Sequence, residues 1–117
     1  MGGNLNWWYN ISMTVTQIQS QIDSITKQLI QKYQPEKIIL FGSAAFGQMS
    51  PDSDLDFFIV KDDKKPAHER MTEVYRLIDK DIAADFLVYT PAELAKRVKM
   101  GDPFIKSVLS EGKVLYG

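Results

Sequence analysis

The sequence predicts an α/β or α+β domain in which a small mixed β-sheet is flanked by helices. Three observations predict this fold class. A stripe of apolar residues with helical spacing comes first, three short apolar segments bounded by turn residues follow, and a strong helix-start signal comes directly after the third segment. The predicted order is therefore helix, strand, strand, helix, strand, helix, helix, with a short final strand.

The first helix is predicted from its apolar stripe and from the residues at its two ends. Thr14 and Gln17 form a capping-box pattern at the start, and Pro35 lies just beyond the end. The stripe recurs at steps of three and four residues, through Val15, Ile18, Ile22, Ile25, Leu29 and Tyr33. Such a stripe is typical of a helix of about five turns that packs on a core.

The later elements are placed by glycines, prolines and charged residues at their boundaries. We expect strands at 37–41, 54–60, 84–89 and 114–116, a loop with one helical turn at 42–51, helices at 67–80 and 91–100, and a last helix that ends near Gly112. The helix-start signal is Thr90-Pro91-Ala92-Glu93, which combines an N-cap, a proline in the first turn and a glutamate at the third helical position. Gly101 is expected to end that helix, and Asp102-Pro103 to begin the next.

Length and composition limit the classes of protein to consider. The chain has 117 residues and contains neither a repeat nor a linker, so we expect one domain over 14–117, preceded by an N-terminal arm at 1–13. The formal net charge of −1 gives no basis for a general attraction to nucleic acid or to membranes. The lack of cysteine excludes thiol catalysis and cysteine-ligated zinc. With neither a membrane span nor a signal-peptide pattern in the sequence, we expect a cytoplasmic location.

Two carboxylates open the second predicted strand. Residues i and i+2 of a strand point to the same face, about 7 Å apart at Cα, so Asp54 and Asp56 would lie side by side. Like charges so placed repel and are costly to desolvate, and a divalent cation such as Mg²⁺ removes that conflict. The alternative is a half-exposed edge strand with polar outward positions. It is disfavoured because Phe58 and Val60 continue the same face with apolar residues.

A glycine and a serine follow the first predicted strand directly. Gly42 allows a ligand to approach the backbone closely, and the next N–H groups together with the Ser43 hydroxyl can donate hydrogen bonds to phosphate oxygens. A tight turn after a strand is the alternative for this pair taken alone. A Walker A loop is excluded because Gly47 is followed by Gln48-Met49 instead of Gly-Lys-Ser/Thr.

A third carboxylate, Asp85, lies near the start of the third predicted strand. If this strand pairs with the second one, Asp85 can join Asp54 and Asp56 and complete a site for two metal ions. The alternative is a strand residue that is paired with a lysine.

Together these residues resemble the DNA polymerase β-type nucleotidyltransferase superfamily. The family pattern is Gly-Ser, a spacer of about ten residues, Asp-x-Asp, and a third Asp on a later strand; here it is represented by Gly42-Ser43, Ser53-Asp54-Leu55-Asp56 and Asp85. The resemblance covers roughly residues 37–89 and implies a polymerase β-like nucleotidyltransferase fold. Because the chain carries no separate acceptor-binding domain, it is similar to the minimal nucleotidyltransferases, many of which are antitoxins of HEPN ribonuclease toxins.

The resemblance implies a role for each matching residue. Asp54, Asp56 and Asp85 would be the catalytic and metal-binding residues for two Mg²⁺ ions, and Asp85 would also help to deprotonate the acceptor hydroxyl. Gly42, Ser43 and Ser53 would bind the nucleotide. The reaction implied is transfer of AMP from ATP to a tyrosine of the HEPN-type toxin, and the protein could form a homo- or hetero-oligomer.

Two other functions stay open from the sequence. Relatives often carry arginine after Gly-Ser, whereas this chain has Ala44-Ala45-Phe46, so a weak or inactive module that neutralises its partner by docking is the main alternative. The third is a nucleotidyltransferase acting on a small hydroxyl compound or on RNA, which the lack of an acceptor-binding domain disfavours.

Overall fold

A computed structural model describes residues 14–47 and 54–117. The predicted N-terminal arm at 1–13 and the predicted nucleotide-binding residue Ser53 lie outside the described residues. In chain order the elements are α1 (Val15–Lys32), β1 (Lys37–Phe41), a 3-10 helix (Gly42–Phe46), β2 (Leu55–Val60), α2 (Ala67–Leu77), β3 (Ala84–Tyr89), α3 (Pro91–Met100), α4 (Pro103–Glu111) and β4 (Lys113–Tyr116).

Helix α1 begins with the predicted capping box. The Gln17 backbone N–H donates to Thr14 Oγ1 at 3.1 Å, and the Thr14 N–H donates to Gln17 Oε1 at 2.8 Å. The apolar stripe is buried from Ile18 onward, whereas Val15 in the first turn is 78% exposed. The predicted helix is therefore confirmed, and its packed face begins one turn after its start.

The four strands form one mixed sheet in the order β3-β2-β1-β4. Strand β1 pairs antiparallel with both β2 and β4, whereas β2 pairs parallel with β3. A parallel pair needs a crossover connection, and α2 supplies it between β2 and β3. The small mixed sheet flanked by helices is the fold class that the sequence predicts.

Apolar residues cover both faces of this sheet. On one face α1 and α2 pack over a core whose strand residues include Leu40, Phe57 and Phe86. On the other face α4 contributes Ile105 and Val108 to a smaller core. Alternate residues of each strand therefore enter different cores, and a polar residue at the end of a strand lies at the margin of one of them.

Helix α2 ends three residues earlier than the predicted 67–80 because a long-range contact binds the backbone beyond it. The side-chain amide of Gln28 on α1 donates to Asp79 O at 2.7 Å, and its Oε1 accepts from Asp79 N at 2.8 Å. Lys32 donates to Leu77 O at 3.1 Å. These bonds satisfy backbone groups that a longer helix would use itself.

The C-terminal helices begin and end at the residues that the sequence indicates. Thr90 accepts from Glu93 N at 3.1 Å, Asp102 accepts from Phe104 N at 2.9 Å, and Gly101 between the two helices is left-handed with φ +71°. The helices of the described residues are all too short or too polar to cross a membrane.

Candidate active site

Two of the three predicted carboxylates lie on neighbouring strands at the same level of the sheet. Asp56 on β2 and Asp85 on β3 are register partners in the parallel pair, and Phe41 is the partner of Asp56 on its other side, in β1. Adjacent strands are about 4.8 Å apart, and laterally paired residues point to the same face. The sheet therefore brings Asp56 and Asp85 together, as the sequence predicts on the condition that these strands pair.

Asp54 lies one residue before the first residue of β2 and is exposed. It is close enough to Asp56 for its charge to act on that carboxylate. Strand β2 thus begins one residue later in the structure than the sequence predicts. Asp54 belongs to the chain that enters the sheet, and Asp56 belongs to the sheet itself.

The carboxylate of Asp56 is in an unfavourable environment for a negative charge. Burial raises its pKa, and the charges of Asp85 and then Asp54 raise it further. Asp56 is half-buried, while its two acidic neighbours are exposed. A divalent cation between these side chains would reverse the effect, because the ionised form would then be favoured.

The backbone turn after β1 lies directly against Asp56. Gly42 has φ +73°, and a Cβ built on it would lie 2.5 Å from Asp56 Oδ2. Both the left-handed backbone and the close approach require glycine here. Gly42 of the predicted phosphate-binding turn and the predicted metal-binding carboxylate of Asp56, fourteen positions apart in sequence, are thus in direct contact.

The side chains of the 3-10 helix present no positive charge to this site. Ser43 is exposed, Ala44 and Ala45 are half-buried, and Phe46 is 57% exposed. A cavity of about 150 Å³ beside Gly42 is lined partly by Phe46 and Phe104.

Tyr75 on α2 is a member of the site that the sequence analysis did not single out. Its hydroxyl lies 3.1 Å from Asp85 Oδ1 and 3.3 Å from the backbone nitrogen of Phe86. The alternative of a lysine partner for Asp85 is not observed, because the ion pairs among the described residues do not include Asp85. In the sequence, Tyr75 is distinguished only as an aromatic residue next to the apolar stripe of α2, which is a weak indication of a role in the site.

The donor set fits a hard divalent cation by its chemistry, since three carboxylates supply only oxygen ligands. Within residues 14–47 and 54–117, three or more acidic or histidine side chains do not converge into a ready-made metal-binding group. Asp56 and Asp85 form the closely placed pair, and Asp54 stands next to it on the incoming chain.

Two comparisons with known proteins identify the family and the fold of this chain. The chain matches the family model described as "Polymerase beta, Nucleotidyltransferase" over residues 20–117. It is also similar to the crystal structure of a candidate nucleotidyltransferase from Sulfolobus solfataricus, with 21% sequence identity, a TM-score of 0.55 and coverage of 89% of each chain. None of the curated proteins matches it.

The Sulfolobus solfataricus protein has the same fold as this chain. The residues matched by the family model, 20–117, include Gly42, Asp54, Asp56 and Asp85. The small mixed sheet with its flanking helices is thus a polymerase β-like nucleotidyltransferase fold. The chain belongs to the polymerase β nucleotidyltransferase family.

Proposed function

We propose that this protein is a Mg²⁺-dependent nucleotidyltransferase that transfers AMP from ATP to a hydroxyl group, the acceptor being a tyrosine of a partner toxin of the HEPN type. The observation that carries the enzymatic part is the placement of Asp56, which has Asp85 as its register partner and the Gly42 backbone in contact with its carboxylate. A phosphate-binding turn beside paired carboxylates is what transfer from a nucleoside triphosphate requires.

In this proposal the residues of the turn bind the nucleotide and the carboxylates bind the metal ions. The backbone N–H groups after Gly42 and the hydroxyl of Ser43 donate to the β- and γ-phosphates, and Ser53 also contacts the nucleotide. Asp54, Asp56 and Asp85 hold Mg²⁺, with two ions in the complete site. Bound Mg²⁺ neutralises charge on the α-phosphate and on the leaving pyrophosphate.

The proposed transfer is a displacement at the α-phosphorus of ATP, with Asp85 as the proton acceptor. The acceptor oxygen forms a bond to the α-phosphorus while the bond from that phosphorus to the oxygen bridging to the β-phosphate breaks. The hydroxyl proton moves to the carboxylate of Asp85, and pyrophosphate leaves. The products are the nucleotidylated acceptor and pyrophosphate.

The test is label transfer from α-³²P-ATP and Mg²⁺ into a lysate of the host, with wild type beside the Asp54→Ala/Asp56→Ala double variant. An exposed acidic residue just beyond β2 gives the matched control, Asp62→Ala. We expect one labelled protein band with wild type and the control, resistant to ribonuclease, and no band with the double variant. γ-³²P-ATP should give no such band, because the γ-phosphate leaves with pyrophosphate.

Equal labelling by the double variant would overturn the proposed role of the carboxylates. A labelled band that ribonuclease removes would replace the protein acceptor with RNA, and a small labelled product would replace it with a hydroxyl compound.

Docking without catalysis is the second candidate function, and one observation favours it. The 3-10 helix beside the site presents Ala44, Ala45 and an exposed Phe46 where a cation would assist triphosphate binding. This function predicts that the Asp54→Ala/Asp56→Ala variant still neutralises the toxin when the two are co-expressed. Loss of neutralisation in that variant, with its fold intact, would favour the enzymatic function.

A further inference from the structure

Tyr75 makes two hydrogen bonds that link helix α2 to the edge of the sheet at the candidate site. Its hydroxyl oxygen is 3.1 Å from Asp85 Oδ1 and 3.3 Å from Phe86 N. Strand β3 is at the edge of the sheet, so alternate amides of this strand point away from β2. The Tyr75 hydroxyl occupies the position that another strand would otherwise take beside Phe86.

The direction of these two bonds follows from the groups involved. A backbone N–H can only donate and an ionised carboxylate can only accept, whereas a phenolic hydroxyl can do both. Tyr75 therefore accepts from Phe86 and must use its single proton toward Asp85. A phenolic hydroxyl is protonated at neutral pH, so Tyr75 has this proton to donate.

The ring of Tyr75 is held firmly enough to orient a neighbour. It packs edge-on against Phe86, with ring centroids 5.1 Å apart and an interplanar angle of 75°. Phe86 is fully buried and stacks in turn on Phe57 at 5.5 Å. The preceding residue on α2, Val74, is fully buried too. The ring that carries the hydroxyl is thus held by its packing on Phe86 and by the buried residue next to it on α2, although Tyr75 is 40% exposed.

We propose that Tyr75 is a positioning residue for Asp85, an inference that rests on the nucleotidyltransferase function proposed above. The Tyr75 hydroxyl holds Oδ1 of Asp85 and leaves Oδ2 for the metal ion or the acceptor. Among the described residues, none donates a hydrogen bond to that second oxygen. Without Tyr75 the exposed Asp85 side chain would have to lose its rotamer freedom each time it binds. Partners that orient a metal-binding side chain in this way typically affect metal affinity and activity.

The variant that tests this proposal is Tyr75→Phe, because it removes the hydroxyl and keeps the ring that packs on Phe86. Tyr116→Phe is the matched control: Tyr116 is also 40% exposed, and it lies on β4 at the opposite edge of the sheet. Two properties are measured on each full-length protein. One is the affinity for Mn²⁺ without nucleotide, by titration calorimetry, and the other is the kcat and KM for ATP in the transfer reaction.

We expect Tyr75→Phe to bind Mn²⁺ about tenfold more weakly and to have a kcat about tenfold lower, with the KM for ATP within about twofold of wild type. Tyr116→Phe should match wild type in both measurements. A purely structural role would lower the melting temperature without changing Mn²⁺ affinity in the folded protein. Unchanged Mn²⁺ affinity in Tyr75→Phe would therefore overturn the proposal.

The two assays separate this inference from the proposed function. If wild type transfers no nucleotide, the proposed function fails while the Mn²⁺ titration still decides the role of Tyr75. Intact mass after incubation with ATP and Mg²⁺ adds a further check. If AMP becomes attached to Tyr75 itself, this residue is an acceptor and its assignment as a positioning residue is overturned.

Discussion

The backbone of Gly42 lies directly against the carboxylate of Asp56, so that a Cβ on Gly42 would come within 2.5 Å of Asp56 Oδ2. This contact joins the end of β1 to the start of β2 at the level where Phe41 and Asp56 are register partners. A ligand bound at the turn would therefore lie beside a carboxylate that burial and two acidic neighbours already disfavour as an anion.

The first prediction concerns the substitution Gly42→Ala. We expect a loss of stability of about 1–2 kcal/mol from the left-handed backbone, and a further loss because Asp56 must move. Gly47→Ala is the control, because Gly47 has nearly the same φ of +70° and has nothing within 4 Å of its Cβ position. Thermal unfolding and the transfer assay should show Gly42→Ala more than tenfold less active, and Gly47→Ala only less stable. Equal behaviour of the two variants would show that the contact with Asp56 has no effect.

The second prediction is that Asp56→Asn stabilises the metal-free protein at pH 7 while it abolishes transfer. The pKa of Asp56 is raised in the folded state, so the folded protein binds a proton more tightly than the unfolded chain does. Proton binding by Asp56 therefore contributes to the free energy of unfolding. This contribution is complete below the pKa of Asp56 in the unfolded chain and is lost as pH rises through its pKa in the folded protein. At pH 7 the wild-type carboxylate is charged, and its removal should raise the melting temperature by about 1–3 °C.

The same substitution should lose its effect in acid. Near pH 3.5 the wild-type carboxyl is largely protonated, so Asp56→Asn and wild type should melt at nearly the same temperature. Asp62→Asn, on the exposed segment after β2, is the control. A gain that does not diminish as the pH falls would contradict repulsion among the carboxylates as its cause.

The third prediction concerns the one charged residue found buried among the described residues, Arg70, which is 3% exposed. It donates to Lys65 O at 2.7 Å, to Val88 O at 3.3 Å and to Glu93 Oε1 at 2.6 Å. Arg70→Met should therefore destabilise the protein by about 3 kcal/mol, because the carbonyl oxygens of Lys65 and Val88 lose the Arg70 donor and Glu93 keeps only the Thr90 N–H.

Glu93→Gln is the milder comparison. The amide oxygen can still accept from Arg70 and from Thr90 N, so a loss of about 1 kcal/mol is expected in urea unfolding. A smaller loss for Arg70→Met than for Glu93→Gln would be inconsistent with this account.

The fourth prediction concerns Phe46, which is 57% exposed on the 3-10 helix. Phe46→Arg places a cation near the predicted phosphate turn and should lower the KM for ATP about two- to fivefold at low salt. The gain should shrink at 0.5 M salt because exposed charges are screened. Phe46→Gln, which adds polarity without charge, should show no such gain. An effect of equal size in Phe46→Gln would mean that removal of the aromatic ring is the cause.

The fold was predictable from the sequence where local interactions decide the structure. The capping boxes at Thr14 and Thr90 and the apolar spacing of α1 involve neighbours three or four residues apart, which the sequence displays directly. The end of α2 at Leu77 was not predictable in the same way. It depends on Gln28 and Lys32, which reach the backbone from a helix some fifty residues earlier in the chain.

The same distinction between local and long-range interactions applies to the candidate site. The carboxylates that are present, the position of Asp56 near the start of an apolar strand, and the glycine after the strand before it were all evident from the sequence. Three relationships required the folded structure: the parallel pairing of β2 and β3 with Asp56 opposite Asp85, the contact of Gly42 with Asp56, and the hydrogen bond from Tyr75 to Asp85. The physical reason is that spacing along one element fixes which face a side chain takes, whereas strand order depends on long-range hydrogen bonds and on burial of both faces of the sheet.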